Sequence, residues 1–205
     1  MARYRGPRIK VCRSLGVIIP GITTKSNLQR PYRPGQHGAN RAGKASDYKE
    51  RLMEKQKLRF HFGLLEKKFK RYISEATRQK GATGTNLIRL LESRLDNVVW
   101  RLGLAATIPA ARQLVVHGHI LVNGKRVDRP SYHISVGTEI TIKAKTLAKD
   151  FMQEALNNSA SRVRPPYLTF DVAEAKGVMT TIPNREDLPF EIDLQKIIEF
   201  YSQQL

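Results

Sequence analysis

Cysteine is almost absent from this chain: among 205 residues only Cys12 carries a thiol. One thiol forms no internal disulfide and cannot by itself complete the four-ligand set of a structural zinc site. Long apolar runs are missing as well, and none approaches the roughly 18 residues that a membrane span requires. The basic opening, MARYRGPRIKVCRSLGVIIPG, lacks the unbroken apolar stretch and small-residue cleavage site of a secretory signal. The sequence therefore reads as a mature, soluble, cytoplasmic chain. It also lacks a nucleophile elbow (GxSxG), a phosphate-cradling GxxxxGKS or GxxxxGKT loop and a zincin HExxH, so no enzyme and no cofactor is expected. His117, His119 and His133 have no acidic or thiol partner at a recognisable spacing, so no metal site is expected either.

Acidic residues are scarce, 18 against 36 Lys and Arg, which leaves a net charge of +18. That exceeds what solubility asks of a small domain and points to a polyanion. The charge is uneven. Residues 1–80 hold 21 basic and 5 acidic side chains, residues 81–148 hold 9 and 4, and residues 149–205 hold 6 and 9. A membrane surface could also attract such charge, but no amphipathic anchor or lipidation signal accompanies it. Nucleic acid is the better partner.

Residues 1–45 show little hydrophobic periodicity and many turn formers, including Pro20-Gly21, Pro31 and Pro34-Gly35. They read as a basic N-terminal arm, poorly ordered alone and folding against its partner. From Ser46, with Asp47 able to cap, the pattern turns helical until Gly63. A second helix follows, with Leu65, Phe69, Tyr72 and Ala76 on one face and Lys67, Lys68, Lys70 and Arg71 around the other. Too few carboxylates balance that cationic face for an ordinary mixed-charge surface. After GATGT, Thr85 can cap one helix over about 86–102, whose stripe is Leu87, Leu91, Leu95, Val98 and Leu102. Thr107 caps a short helix with Pro109 in its first turn. Then come an apolar strand at 119–122, the hairpin signal Asn123-Gly124, a strand at 139–142, a helix near 146–157, an alternating YLTFDV strand and a last helix near 194–201.

The physical reading of 91–142 is two helices packed on a small sheet, with basic groups at helix ends and hairpin positions, where they suit phosphates. Arg112 and Lys125 are expected to be exposed and to converge on one RNA surface. Arg94 with Asp96 is open to two readings, a local ion pair or a phosphate ligand. His117 and His119 are equally open, to structural hydrogen bonding or RNA contact. Trp100 reads as core. Tyr32, Phe60, Phe62 and Tyr132 are stacking candidates, each with a buried alternative.

The strings RLDNVV, ARQLVVHGHILVNGK and PSY, together with MARYRGP, PGQHG at 34–38, EKQKLRFHFG at 54–63, REDLP at 185–189 and EFYS near the end, resemble the small-subunit ribosomal protein S-four family, in its bacterial, zinc-free form. The resemblance covers essentially the whole chain. It implies an α+β protein: a mainly helical lobe, 46–90 completed by 183–205, and an RNA-binding lobe, 91–182, inserted between them. The family's module of two helices and a small, largely antiparallel sheet would lie at about 91–155. The function implied is a structural constituent of the small ribosomal subunit that binds its rRNA at a multi-helix junction, nucleates assembly, and bears on mRNA entering the subunit and on decoding accuracy. The implied partners are small-subunit rRNA, neighbouring S-five and S-three family proteins, and mRNA; no membrane is implied.

The expected RNA-binding residues are Arg3, Arg5, Arg8, Lys10, Arg13, Arg41 and Lys44 in the arm. In the helical lobe they are Arg51, Lys55, Lys57, Arg59, Lys67, Lys68, Lys70 and Arg71. In the module they are Arg94, Arg101, Arg112, His117, His119, Asn123, Lys125 and Arg126. One position departs from the family pattern: where many members carry Arg after the capping Thr, this chain has Ile108 and then Pro109, so a phosphate contact is expected to be missing there. The segment 155–181 resembles the family only loosely. A module-bearing RNA-modifying enzyme would need a catalytic domain for which this chain has no pattern. A helix-turn-helix regulator would need a more polar reading helix than IPAARQLVVH.

Overall fold

Ser46 opens the first long helix, its Oγ accepting from the Lys49 N–H, and Asp47 and Glu50 place negative charge in the first turn. In the computed structural model this helix is α2, Asp47–His61. The structure describes residues 4–25, 30, 32–40, 45–160 and 163–202, apart from the Ala160 side chain. It divides into two units, Met1–Leu87 with Leu188–Leu205, and Ile88–Asp187. Among the described residues no helix is long and apolar enough to cross a membrane.

The first unit is helical. Before α2 comes α1, Arg8–Leu15, which the arm reading did not anticipate. Cys12, Leu15, Ile19 and Ile22 are buried together, with Val11, Met53 and Phe60 packed against them. The Pro20 carbonyl lies 2.8 Å from His61 Nδ1. Apolar burial thus fastens this stretch of the arm to α2 without any polyanion. Gly63, at φ 59°, permits the reversal after α2. In α3, Glu66–Arg78, the buried set Phe69, Tyr72, Ile73 and Ala76 follows helical spacing.

Helix α4, Thr83–Glu92, begins two residues before the Thr85 expected to cap it. Gly84 leaves room for a later helix, since a Cβ there would come within 3.3 Å of the Leu194 side chain. That helix, the last in the chain, rests on α2: Lys196 Nζ meets Glu50 at 2.8 Å and Glu199 meets Arg51 at 3.0 Å.

The second unit is the α+β part. The single helix expected over 86–102 is broken: α4 stops at Glu92 and α5, Leu95–Arg101, starts after Arg94, which is extended at φ −69°, ψ 136°. Residues two apart on a helix do not face each other. Arg94 can grip Asp96 only from outside the helix, and the pair it forms is two residues apart. The freed backbone is satisfied across the chain, Leu95 N–H donating to the Tyr132 carbonyl at 2.8 Å and Ile134 N–H to that of Ser93 at 2.8 Å. Helix α6, Ile108–Val116, has its expected cap: Thr107 Oγ1 accepts from Ala110 N–H, with Pro109 in the first turn.

The sheet comprises β1, Ile120–Val122; β2, Lys125–Arg126; β3, Glu139–Ile142; β4, Leu168–Asp171; and β5, Lys176–Met179. Its order is β2-β1-β3-β5-β4, every pairing antiparallel. Asn123 and Gly124, at φ 48° and 75°, make the mirror-image turn that suits a two-residue hairpin. Two further helices, α7, Ala144–Leu147, and α8, Asp150–Ala160, replace the one expected near 146–157. One buried cluster joins α5 and α6 to the sheet through Leu95, Val98, Leu102, Ala111, Ile120 and Ile140. Gly177 of β5 sits under Leu102, whose side chain leaves no space for a Cβ. A short 3-10 turn, Arg185–Asp187, precedes the final helix, α9, Leu194–Ser202.

Candidate nucleic-acid interface

Basic side chains fall into three groups by what already holds them. The first is buried or half-buried against carboxylates. Arg94 is 2% exposed and makes a bidentate pair with Asp96, at 3.0 and 2.7 Å. Arg112 reaches the same carboxylate from α6, at 3.0 and 2.8 Å. Arg101, 9% exposed, lies 2.8 Å from Glu92 and donates also to the Asp187 carbonyl at 2.9 Å. Burial works against the Arg101 charge, yet Glu92, Tyr167 and Asp187 together outweigh it and raise the guanidinium's pKa. Glu92 also accepts from Tyr167 Oη at 2.7 Å and from Asn97 Nδ2. Burial, then Glu92, holds the Tyr167 phenol well above its ordinary range.

These contacts correct the expectation that Arg112 is exposed, and they place Arg94 and Arg101, expected to bind RNA, inside the protein. Two fully buried carboxylates gather three guanidiniums: those of Arg94 and Arg101 are enclosed, and that of Arg112, half-buried, is held by Asp96. Of the two readings of Arg94, the ion pair is the one seen.

The second group is held by partners within the first unit. Lys55 is 4% exposed, 2.9 Å from Glu66, with Phe200 under its ammonium at 4.8 Å. It too is internal, not presented to a partner as expected. Burial raises the Glu66 pKa, but hydrogen bonds from Tyr201 and Lys55 outweigh it and bring the net shift down. Lys57 pairs with Glu54, Arg51 with Glu199, and Arg59 with Gln56 and Glu66. Arg13 donates to the carbonyls of Tyr32 and Arg33.

The third group faces solvent. Arg5, Arg8 and Lys10 are exposed in the arm, as are Lys67, Lys68 and Arg71 on α3, with Lys70 half-buried beside them. In the second unit His117, Lys125 and Arg126 are exposed, and His119 is half-buried. Asn123 is exposed and shapes the turn, its Oδ1 accepting from Glu139 N–H at 2.8 Å. Arg3, Arg41 and Lys44 lie outside the described residues. Among the stacking candidates Tyr32 and Tyr132 are exposed, Phe60 is half-buried, and Phe62 is core. Trp100 is buried as expected.

His119 marks a place where several elements bring basic groups together. Its Nδ1 lies 2.9 Å from Thr146 Oγ1 on α7, and its carbonyl accepts from Lys143 N–H at 2.9 Å. The His117 ring centroid is 6.0 Å away, and Arg126 of β2 lies over Gly118 so closely that a Cβ there would collide with the guanidinium. Burial, then Lys149, His117, Lys143 and Arg126, lowers the His119 pKa. The strongest fields on this ring are all positive, which is the setting an anion would relieve. Lys143 and Lys149 were not among the expected residues. Their signal is the run KAKTLAK at 143–149, with no carboxylate inside it. Among the described residues no group of His, Cys, Asp and Glu is arranged to hold a metal ion.

Two family models match in succession: the ribosomal protein S4/S9 N-terminal domain over residues 3–92, and the S4 domain over residues 93–140. Proteins described as small ribosomal subunit protein uS4 align along their full length. That of Brevibacillus brevis is 48% identical over 203 residues, covering 99% of this chain and 100% of the relative. That of Methylobacillus flagellatus is 45% identical over 206 residues, covering 100% of both, and that of Enterococcus faecalis is 47% identical over 206 residues, also covering 100% of both. With helices α5 and α6 and the β1–β2 hairpin inside the span of the second model, and both models and full-length relatives agreeing, the chain belongs to the uS4 family of small ribosomal subunit proteins.

Proposed function

We propose that the chain is a structural, non-catalytic constituent of the cytoplasmic small ribosomal subunit and binds its rRNA. The observation that carries the reading is the basic convergence around His119. Four segments supply its groups, the α6–β1 turn, the β1–β2 hairpin, the β3–α7 link and, through Lys149, the α7–α8 link, and the strongest charges acting on the ring have one sign. The solvent-facing cations of α3 and the arm add a second cationic surface. Phosphate contacts of this kind position a protein on a folded RNA, whose duplex major groove is too deep and narrow for side chains to read.

A protein with cations on two compact units suits a target in which several RNA helices meet. We therefore read the target as a multi-helix junction in small-subunit rRNA, held early enough to nucleate assembly. The family resemblance supports S-five and S-three family proteins as neighbours, a location where mRNA enters the subunit, and a contribution to decoding accuracy. The division of labour we propose keeps residues 1–45 as a basic arm, 46–90 with 183–205 as the helical lobe, and 91–182 as the RNA-binding lobe.

Competition at fixed salt tests the core of this reading. Full-length chain on labelled small-subunit rRNA should be displaced by unlabelled rRNA far better than by equal masses of tRNA or duplex DNA. Equal displacement by all three would leave only non-specific charge attraction. Crosslinking in cells, followed by mapping of the attached RNA, should recover one multi-helix region of the small-subunit rRNA.

A further inference from the structure

Between α1 and α2 lies an open cavity of about 480 Å³ that the reading above does not use. Its size falls in the range of sites that enclose a small organic group. Val11, Leu52 and Met53 contribute an apolar floor, and Tyr4 and Phe60 form an aromatic wall, their rings edge to face with centroids 5.2 Å apart. The Arg59 guanidinium lies 4.3 Å from the Phe60 centroid. Lys10, Arg33 and Lys49 also line the cavity, and none of the three is in an ion pair with a described residue. Among the described residues no carboxylate lines it.

We propose that this groove seats one unstacked nucleobase of the bound rRNA, with the flanking phosphates on Lys10, Arg33 and Lys49. The proposal rests on rRNA as the partner and names a contact within it. An apolar, aromatic slot edged by cations matches a flat base carried between two phosphates. Aromatic rings and Arg planes are the surfaces on which single-stranded bases stack. A duplex cannot enter, because its bases stay stacked on each other, so the occupant is a bulged or loop nucleotide. An acidic peptide would bring its charge to the apolar floor, whereas a nucleotide keeps its charge at the edge. Residues 41–44 of the chain itself, RAGK, would add two cations to a cationic edge.

The test uses the full chain and small-subunit rRNA transcribed in vitro. Ser14 is exposed and lines the groove, so Ser14→Trp fills the slot without removing a cation. The expected result is a weakening of rRNA affinity by about tenfold or more, the size of one base–aromatic stack. The dependence of affinity on salt should be unchanged, since every cation that meets phosphate is still present. Ultraviolet irradiation of the parent complex should attach a nucleotide to the peptide carrying Tyr4 or Phe60, and Tyr4→Leu should weaken both the adduct and the affinity.

Ser14→Trp binding rRNA as tightly as the parent, with no adduct on either peptide, overturns the proposal. So does Ser14→Trp lowering the melting temperature of the free chain, which would show a segment of the protein already seated there. A parent chain that fails to prefer rRNA over tRNA overturns the functional reading itself, a result separate from either groove outcome.

Discussion

Helix α3 carries Lys67, Lys68 and Arg71 into solvent on the side away from Phe69, Tyr72, Ile73 and Ala76, whereas α5 and α6, with the break before them, turn Arg94, Arg101 and Arg112 onto Glu92 and Asp96. Both regions carry arginine or lysine in a basic chain, so charge alone assigns both to a polyanion. Physically they differ. A cation on the α3 face keeps its water and remains available to a phosphate, while a guanidinium in the second unit has exchanged water for a carboxylate. The α3 cations therefore bear on binding and its salt dependence, and the α5–α6 arginines bear on whether the module folds. The groups around His119 fall between, in a module whose inner arginines are paired with carboxylates and whose outer face at this ring stays positive.

The largest effect should come from removing a shared carboxylate. Asp96→Ala removes the carboxylate that Arg94 and Arg112 share, and breaking a buried pair from one side costs about 3–5 kcal/mol. Thermal melting should show a drop of this size or failure to fold. Leu95→Ala, a cavity beside the same carboxylate in a fully buried position, should cost about 2–5 kcal/mol. An Asp96→Ala protein that melts with the parent would break the contrast, by showing that the buried network does not hold the module.

Arg112 and Lys125 sharpen the comparison, because their sequence context suggests one exposed surface for both. Arg112→Ala removes two charge-assisted hydrogen bonds from Asp96 but leaves the Arg94 pair, so it should cost about 1–3 kcal/mol. Lys125→Ala, on an exposed two-residue strand, should change stability by no more than about 0.5 kcal/mol. Filter binding by Arg112→Ala, measured well below its melting point, should stay near the parent value, while Lys125→Ala should weaken rRNA binding. Weakened binding by a still-folded Arg112→Ala would return Arg112 to the RNA surface.

The difference between these two residues could not be read from the chain, because Asp96 lies 16 residues before Arg112 and Glu92 nine before Arg101. Charge is written in the sequence, but its partner is set by the fold. The break at Arg94 was hidden for the same reason: Leu87, Leu91, Leu95, Val98 and Leu102 keep an apolar stripe across it. By contrast, the Thr107 cap, the Asn123-Gly124 turn and the amphipathic face of α3 are local devices, and local devices were legible. Helix α1 was half-legible. Cys12, Leu15, Ile19 and Ile22 recur at three- and four-residue spacing, but Pro20-Gly21 within that span drew attention to the turn. Strand β5 was missed because Gly177, the residue that lets Leu102 approach the sheet, weakens the strand pattern.

A smaller expected effect lies on α3. Replacing Lys67, Lys68, Lys70 and Arg71 with Ala should leave the melting curve within about 0.5 kcal/mol per site of the parent. The plot of log affinity against log salt should become shallower by roughly 0.7–0.9 for each phosphate that the variant no longer neutralises. An unchanged slope would make this face a solvated surface, and the contrast with the buried arginines would then concern solubility alone.

The smallest effect concerns pH, and it tests whether the His119 cluster meets RNA. In the free chain burial and the surrounding Lys149, His117, Lys143 and Arg126 hold the His119 pKa below its ordinary 6.5. The unfolded chain therefore binds its proton more readily, so the contribution of His119 to stability is full above pH 6.5 and is lost as pH falls through the folded value. Phosphate arriving at the cluster acts in the opposite direction, since negative charge favours the imidazolium and raises the pKa. RNA binding then takes up a proton, and affinity should rise as pH falls through the bound-state pKa, levelling off below the free-state one. Nuclear magnetic resonance titration of the His119 ring should show the upward move on adding rRNA fragment, and His119→Gln should flatten this part of the pH dependence of affinity. If the ring titrates identically with and without RNA, the convergence at His119 does not meet phosphate, and the RNA surface of the second unit lies elsewhere.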